Sequence, residues 1–148
     1  MSISTRPPLG EDLLNSESAE YGCFKQGYRL GNSDLNILFF DSQGRSISPY
    51  SVSYEVGYIT EADNKFHRVG IANRIPIEIR TGRFRPNFQV GDKWNTGNYE
   101  IRWNYQVTNG GAVETISVPF LVITKGIYDF TATDIGVFNL QATVVVIP

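Results

Sequence analysis

The 148-residue chain contains a single cysteine, a single histidine and a single methionine. Cys23 has no second cysteine to pair with in the chain, which argues against a bridge-stapled extracellular domain and for folding in a reducing cytosol as a core thiol. His67 is equally alone. A Ser-His-Asp or Cys-His nucleophile would have to be built around Phe66, His67 and Arg68, and no recognisable motif surrounds either His67 or Cys23. Zinc would need three good ligands from one Cys, one His and carboxylates, which is a poor supply. No run approaches the roughly 18 apolar residues that cross a bilayer, and the leading residues lack the apolar stretch of a signal peptide. The Gly-rich phosphate loop is missing too, and Glu61, Asp63 and Asn64 read as a hairpin tip rather than a calcium loop. The expectation is therefore no catalytic residue, no metal, no cofactor, no membrane span and no enzymatic activity.

What the chain does have is aromatic residues (9 Phe, 8 Tyr, 2 Trp) and few helix-favouring runs, a balance that favours strands. Its length fits one domain, able to bury roughly 70% of the surface of the unfolded chain. Residues 99–107 alternate without error. Tyr99, Ile101, Trp103, Tyr105 and Val107 share one side and Glu100, Arg102, Asn104 and Gln106 the other, the period of a strand covering a core. Further strands are expected at 24–30, 35–40, 52–59, 65–69, 75–79, 83–88 and 113–122, separated by turn residues such as Asp41-Ser42-Gln43-Gly44 and Thr108-Asn109-Gly110-Gly111. This spacing predicts an all-β, immunoglobulin-like β-sandwich of about seven to eight strands with extended N- and C-terminal arms. Asn95-Thr96-Gly97-Asn98 directly precedes Tyr99, an order similar to the tyrosine corner of such sandwiches, in which the hydroxyl bonds back to the preceding loop. Prolines 49, 76, 86 and 119 belong at edges, strand starts or bulges, because proline cannot donate to a ladder. Glu55, Glu78, Glu100 and Glu114 fall at polar positions of strands, as a solvated face rather than a glycosidase pair.

Residues 1–20 carry four carboxylates, Pro7-Pro8 and little periodicity, and read as an arm outside a sandwich at 21–122. Residues 123–148 form a C-terminal extension that ends in the uncharged, β-branched strand of Val144, Val145, Val146 and Ile147. Such a strand needs cover, either from its own domain or by addition to a partner. Charge is uneven. Residues 65–93 hold seven basic and two acidic side chains in a chain of net charge −2. Arg80, Arg83 and Arg85 flank the turn at Thr81-Gly82, with Arg74 shortly before, and alternation with Phe84 sends Arg83 and Arg85 to one outer face. That block is expected on a sheet edge. It suits a solvated face or an acidic protein partner, including the acidic arm of another copy, better than nucleic acid, which needs a more extended basic footprint.

The chain resembles small immunoglobulin-like structural proteins of tailed-bacteriophage virions across roughly residues 24–122. The resemblance lies in residues 35–45 with Ile47-Ser48-Pro49, in Val52-Ser53-Tyr54-Glu55-Val56, in Arg74-Ile75-Pro76-Ile77 and in Gly97-Asn98-Tyr99-Glu100-Ile101-Arg102-Trp103. It implies a non-enzymatic virion component made in the host cytoplasm. Such a component is a cement or decoration protein on the head shell, or a neck protein where head meets tail. Its partners would be capsid shell, portal or neck proteins and further copies of itself. Another class fits the same scaffold: a carbohydrate-binding or adhesive module that stacks sugars on exposed aromatics. Tyr28, Tyr50, Tyr58 and above all Trp94, in the polar loop at 91–98, are its candidates.

Overall fold

The computed structural model describes residues 22–124 and 142–148. The expected arm at 1–20 and much of the expected extension at 123–148 lie outside the described residues. The regular elements are strands: β1 (Cys23–Lys25), β2 (Ile37–Asp41), β3 (Ser51–Ile59), β4 (Phe66–Arg68), β5 (Ile77–Arg80), β6 (Arg83–Arg85), β7 (Gly97–Gln106), β8 (Val113–Ile123) and β9 (Thr143–Ile147). They form a five-stranded sheet in the order β1-β8-β7-β3-β4 and a four-stranded sheet in the order β5-β6-β2-β9. Both are mixed, because β1 runs parallel to β8 and β9 parallel to β2.

Alternation makes β7 the spine of the larger sheet. Tyr99, Ile101 and Trp103 are buried, while Glu100 and Arg102 face outward and bond each other. β7 pairs with β3 on one side and with β8 along its whole length on the other. The β7–β8 hairpin closes at Gly110, whose φ of 82° suits glycine, with the Gly111 amide donating to Thr108 O at 3.0 Å. Strand ends differ from the sequence reading for local reasons. The first strand stops at Lys25 rather than running to 30, since Gly27 takes φ 84° and Tyr28 N donates back to Lys25 O. Leu35 sits at φ 51°, so β2 starts two residues later than expected. Pro86 closes β6 three residues before the expected end at 88.

The core lies between the sheets. Ile37, Phe39, Phe84, Val145 and Ile147 from the smaller sheet meet Phe24, Tyr54, Val56, Tyr99, Ile101, Trp103, Phe120 and Val122 from the larger. The Phe39 and Tyr105 rings cross between layers at 5.1 Å, edge to face. Phe88, just beyond β6, meets Tyr54 of β3 at 6.0 Å. These two contacts set β2 over β7 and the β6 end over β3, so β9 falls on the same flank as β8 and β1. The Tyr99 hydroxyl donates to Asn95 O at 2.6 Å, and burial raises its pKa to about 12. Tyr99→Phe removes only this bond and leaves Asn95 O without it. Thermal and urea unfolding are expected to register a loss of about 1 kcal/mol.

The prolines sit where a missing amide does least harm. Pro119 lies within β8 opposite Glu100, but β1 borders only Leu121 to Ile123 on the other side, so the proline nitrogen faces an unpaired stretch of edge. β9 belongs to the same body as the other strands: it runs in register beside β2 from Ile37↔Thr143 to Asp41↔Ile147. Val145 and Ile147 enter the core, 8% and 3% exposed.

Candidate interaction surface

Register defines the outer face of the four-stranded sheet. Because Ile37 and Phe39 point into the core, Leu38 and Phe40 point away from it, half-buried, next to their partners Val144 and Val146 on β9. The two valines are 58% and 62% exposed, which leaves the apolar half of this face open. The other half is basic. Arg83 pairs with Leu38 across β2–β6 and with Arg80 across β5–β6, and Arg85 pairs with Ile77. Rows of side chains therefore run from Arg80 through Arg83 and Leu38 to Val144, with Phe40 and Val146 beyond.

The arginines divide into two kinds. Arg83 Nε donates to Asn36 Oδ1 at 2.6 Å, and Arg85 donates to the carbonyls of Leu30 and Pro86 at 3.3 and 3.2 Å, so both are held against the sheet by neutral acceptors. Arg85 Nε is buried without a partner. Arg80 and Arg74 are exposed, Arg80 at the end of β5 and Arg74 in the loop before it. Among the described residues the ion pairs are Arg45–Asp41, His67–Asp63, Arg68–Glu55 and Arg102–Glu100, and none reaches these four arginines. Glu78, the one acidic residue of β5, stands opposite Phe84 in the register yet stays exposed at the sheet edge, in keeping with its expected place on a solvated face. It binds Ser48 Oγ and accepts from Gly82 N at 3.1 Å, pinning the β5–β6 turn. Among the described residues no carboxylate pairs with the basic half of the face.

Trp94 lies at one wall of an open pocket of about 490 Å³, lined also by Arg29, Ile71, Asn73, Asn87, Phe88 and Gln89. Its indole stacks on Tyr99 at 5.2 Å and on Phe88 at 6.1 Å, and its carbonyl accepts from Gln26 at 2.6 Å. Several polar groups of the wall are already engaged: Asn73 Oδ1 accepts Ile75 N, and Gln89 bonds Gly27 O and Arg29. Trp94 here anchors its loop to the core. Gly91 makes room for it, since an added Cβ would lie 2.3 Å from Trp94 Cδ1. Gly91→Ala is expected to push the indole off Tyr99 and to cost about 1–3 kcal/mol. A changed near-UV signal together with a lowered unfolding midpoint would record it.

The other groups considered for chemistry are dispersed. Cys23 is on β1 and His67 on β4, the two opposite edges of the five-stranded sheet, and burial pushes the Cys23 thiol up to about 11. Asp63 accepts from Thr60, His67 and Lys65 N, and these bonds hold its carboxyl down at about 2 while tying the hairpin tip. Glu55 is paired with Arg68 and Glu100 with Arg102. Among the described residues no three His, Cys, Asp or Glu side chains converge as a metal site, and no helix is long and apolar enough to cross a membrane.

Leu38, Phe40 and Ile77 are members of the outer face that sequence reasoning did not assign to it. The run Leu35 to Phe40 is apolar on both parities, so alternation could not tell core from surface there. The only signal was the pairing of a doubly apolar β2 with a doubly apolar β9. Comparison of the chain with protein-family models, with curated proteins and with solved structures finds no match.

Proposed function

We propose that the chain is a non-catalytic, immunoglobulin-like β-sandwich that serves as a structural component of a tailed-phage virion. It would bind neighbouring particle proteins as a head cement or decoration protein or as a neck component. The strand arrangement supports the immunoglobulin-like part. Such sandwiches carry strands A, B, E and D in one sheet and C, F and G in the other, extended by C′ in some members. With β2 read as B and the following strands in turn as C to G, the observed orders correspond to D-E-B and G-F-C-C′. β9 then takes the seat beside B that strand A fills elsewhere. The Tyr99 hydroxyl bond to Asn95 O, at the start of F, agrees with a tyrosine corner.

The observation that carries the assembly reading is β9 itself. It is an uncharged sheet edge with Val144 and Val146 bare on its outer side, and exposed apolar surface of this kind marks a contact site for protein. The virion assignment draws on the resemblance of residues 24–122 to phage structural modules. Recovery of the chain in gradient-purified virions, at a fixed ratio to the major shell protein and with Val146→Asp removing it, is the expected result. Its loss from particles on the gradient, with shell and tail proteins retained, rejects the reading.

A further inference from the structure

We infer that the outer face of the four-stranded sheet receives the acidic leading segment, residues 9–20, of a second copy of this chain. The inference rests on the assembly reading above and names one contact within it. The face has two halves, and each asks for something. Arg80 and Arg83 present positive charge with no carboxylate partner, and Leu38, Phe40, Val144 and Val146 present apolar surface beside them. No carboxylate stands on this face among the described residues.

That composition argues against a symmetric pairing of two such faces. A two-fold contact would bury arginines against arginines or against valines, and a desolvated charge without a counter-charge is strongly unfavourable. The complement must bring carboxylates and apolar side chains together. Residues 9–20, Leu-Gly-Glu-Asp-Leu-Leu-Asn-Ser-Glu-Ser-Ala-Glu, do so: Glu11 and Asp12 stand between Leu9 and the Leu13-Leu14 pair. Residues 1–20 hold four carboxylates against one arginine, which makes them the acidic counterpart of the basic block. A contact between the arm of one copy and the sheet of the next is heterologous. Exchanged reciprocally it closes as a two-fold dimer, and passed on to a third copy it propagates into a ring or an open chain.

The test uses the full chain and a fluorescent synthetic peptide of residues 1–21. The peptide is expected to bind the chain, and Arg80→Glu or raised salt is expected to weaken it about tenfold or more. By light scattering, the chain alone should form a dimer or a larger species. Glu11→Lys with Asp12→Lys should reduce these to monomers, and adding Arg80→Glu to that pair should restore them. Arg80 is exposed, and a far-UV and thermal-unfolding comparison of each variant with the parent chain separates a folding defect from loss of the contact.

Several results overturn the inference. One is a dimer indifferent to the arm charges, which would mean that two sheet faces cover each other. Another is a monomer that takes up peptide only after Glu11 and Asp12 are reversed, which would mean that each arm lies on its own sheet. The third is no peptide binding at all. If the peptide fails while the chain still co-purifies with virions, this contact falls and the proposed function stands; if both fail, both fall.

Discussion

Trp103→Ala is expected to lower stability by about 3–5 kcal/mol, a large share of the roughly 5–15 kcal/mol that separates a domain of this size from its unfolded chain. Trp103 is fully buried, packs on Tyr54 at 5.5 Å between ring centres, and stands in the middle of the β3-β7-β8 ladder with Tyr54 and Ile116 as cross-strand neighbours. Removing it opens a cavity that three strands pinned on both sides cannot close. Trp103→Phe separates size from polarity. The indole Nε1 of Trp103 is buried without an acceptor, so the native residue already carries a desolvation cost of about 1–3 kcal/mol. Phenylalanine sheds that cost while leaving a smaller void, and a loss under about 1.5 kcal/mol is expected. Urea unfolding followed through Trp94, the other tryptophan, measures both variants. A Trp103→Phe loss well above about 1.5 kcal/mol would mean that the indole nitrogen is satisfied in solution.

The second large effect is expected at Ile147, read against its neighbours. Ile147 is 3% exposed and closes the core beside β2, so Ile147→Ala should cost about 2–5 kcal/mol. Val145→Ala should cost about 1.6 kcal/mol for the methyl groups it withdraws. Val144→Ala and Val146→Ala, on the open side of the same strand, should fall within about 0.5 kcal/mol. The test is the alternation itself across four consecutive positions. A flat profile would show that β9 does not sit beside β2 in solution, whereas a strand exchanged into another copy would keep the alternation but make the unfolding midpoint depend on protein concentration.

The all-β character and most strand positions were legible because they rest on local patterns. Residues 99–107 state their own periodicity, and Gly110, Gly44 and Asn64 mark turns by tolerating positive φ. Tyr99 could be read as a hydroxyl bonding backward because its acceptor, Asn95, is four residues away. What sequence could not supply depends on distant partners. Arg83 reaches Asn36 across 47 positions and Arg85 reaches Leu30 across 55, so a block that reads as free charge is half tied down. Trp94, in a polar loop, reads from sequence either as a loop anchor or as a stacking surface, and its contacts with Phe88 and Tyr99, unreadable locally, are what make it an anchor. The β2–β9 ladder was visible only as an apolar strand needing cover, since nothing local specifies a parallel neighbour.

The same ladder has a consequence in time. The β7–β8 hairpin joins Gln106 to Val113 across a short turn, and hairpins of that kind close in roughly 1–10 μs. Ile37 and Thr143 are more than a hundred residues apart, and closing so long a span slows folding toward the millisecond-to-second range. An order of assembly in which local hairpins precede the β2–β9 ladder would leave the slot beside β2 open to the β9 of its own chain or to that of another copy.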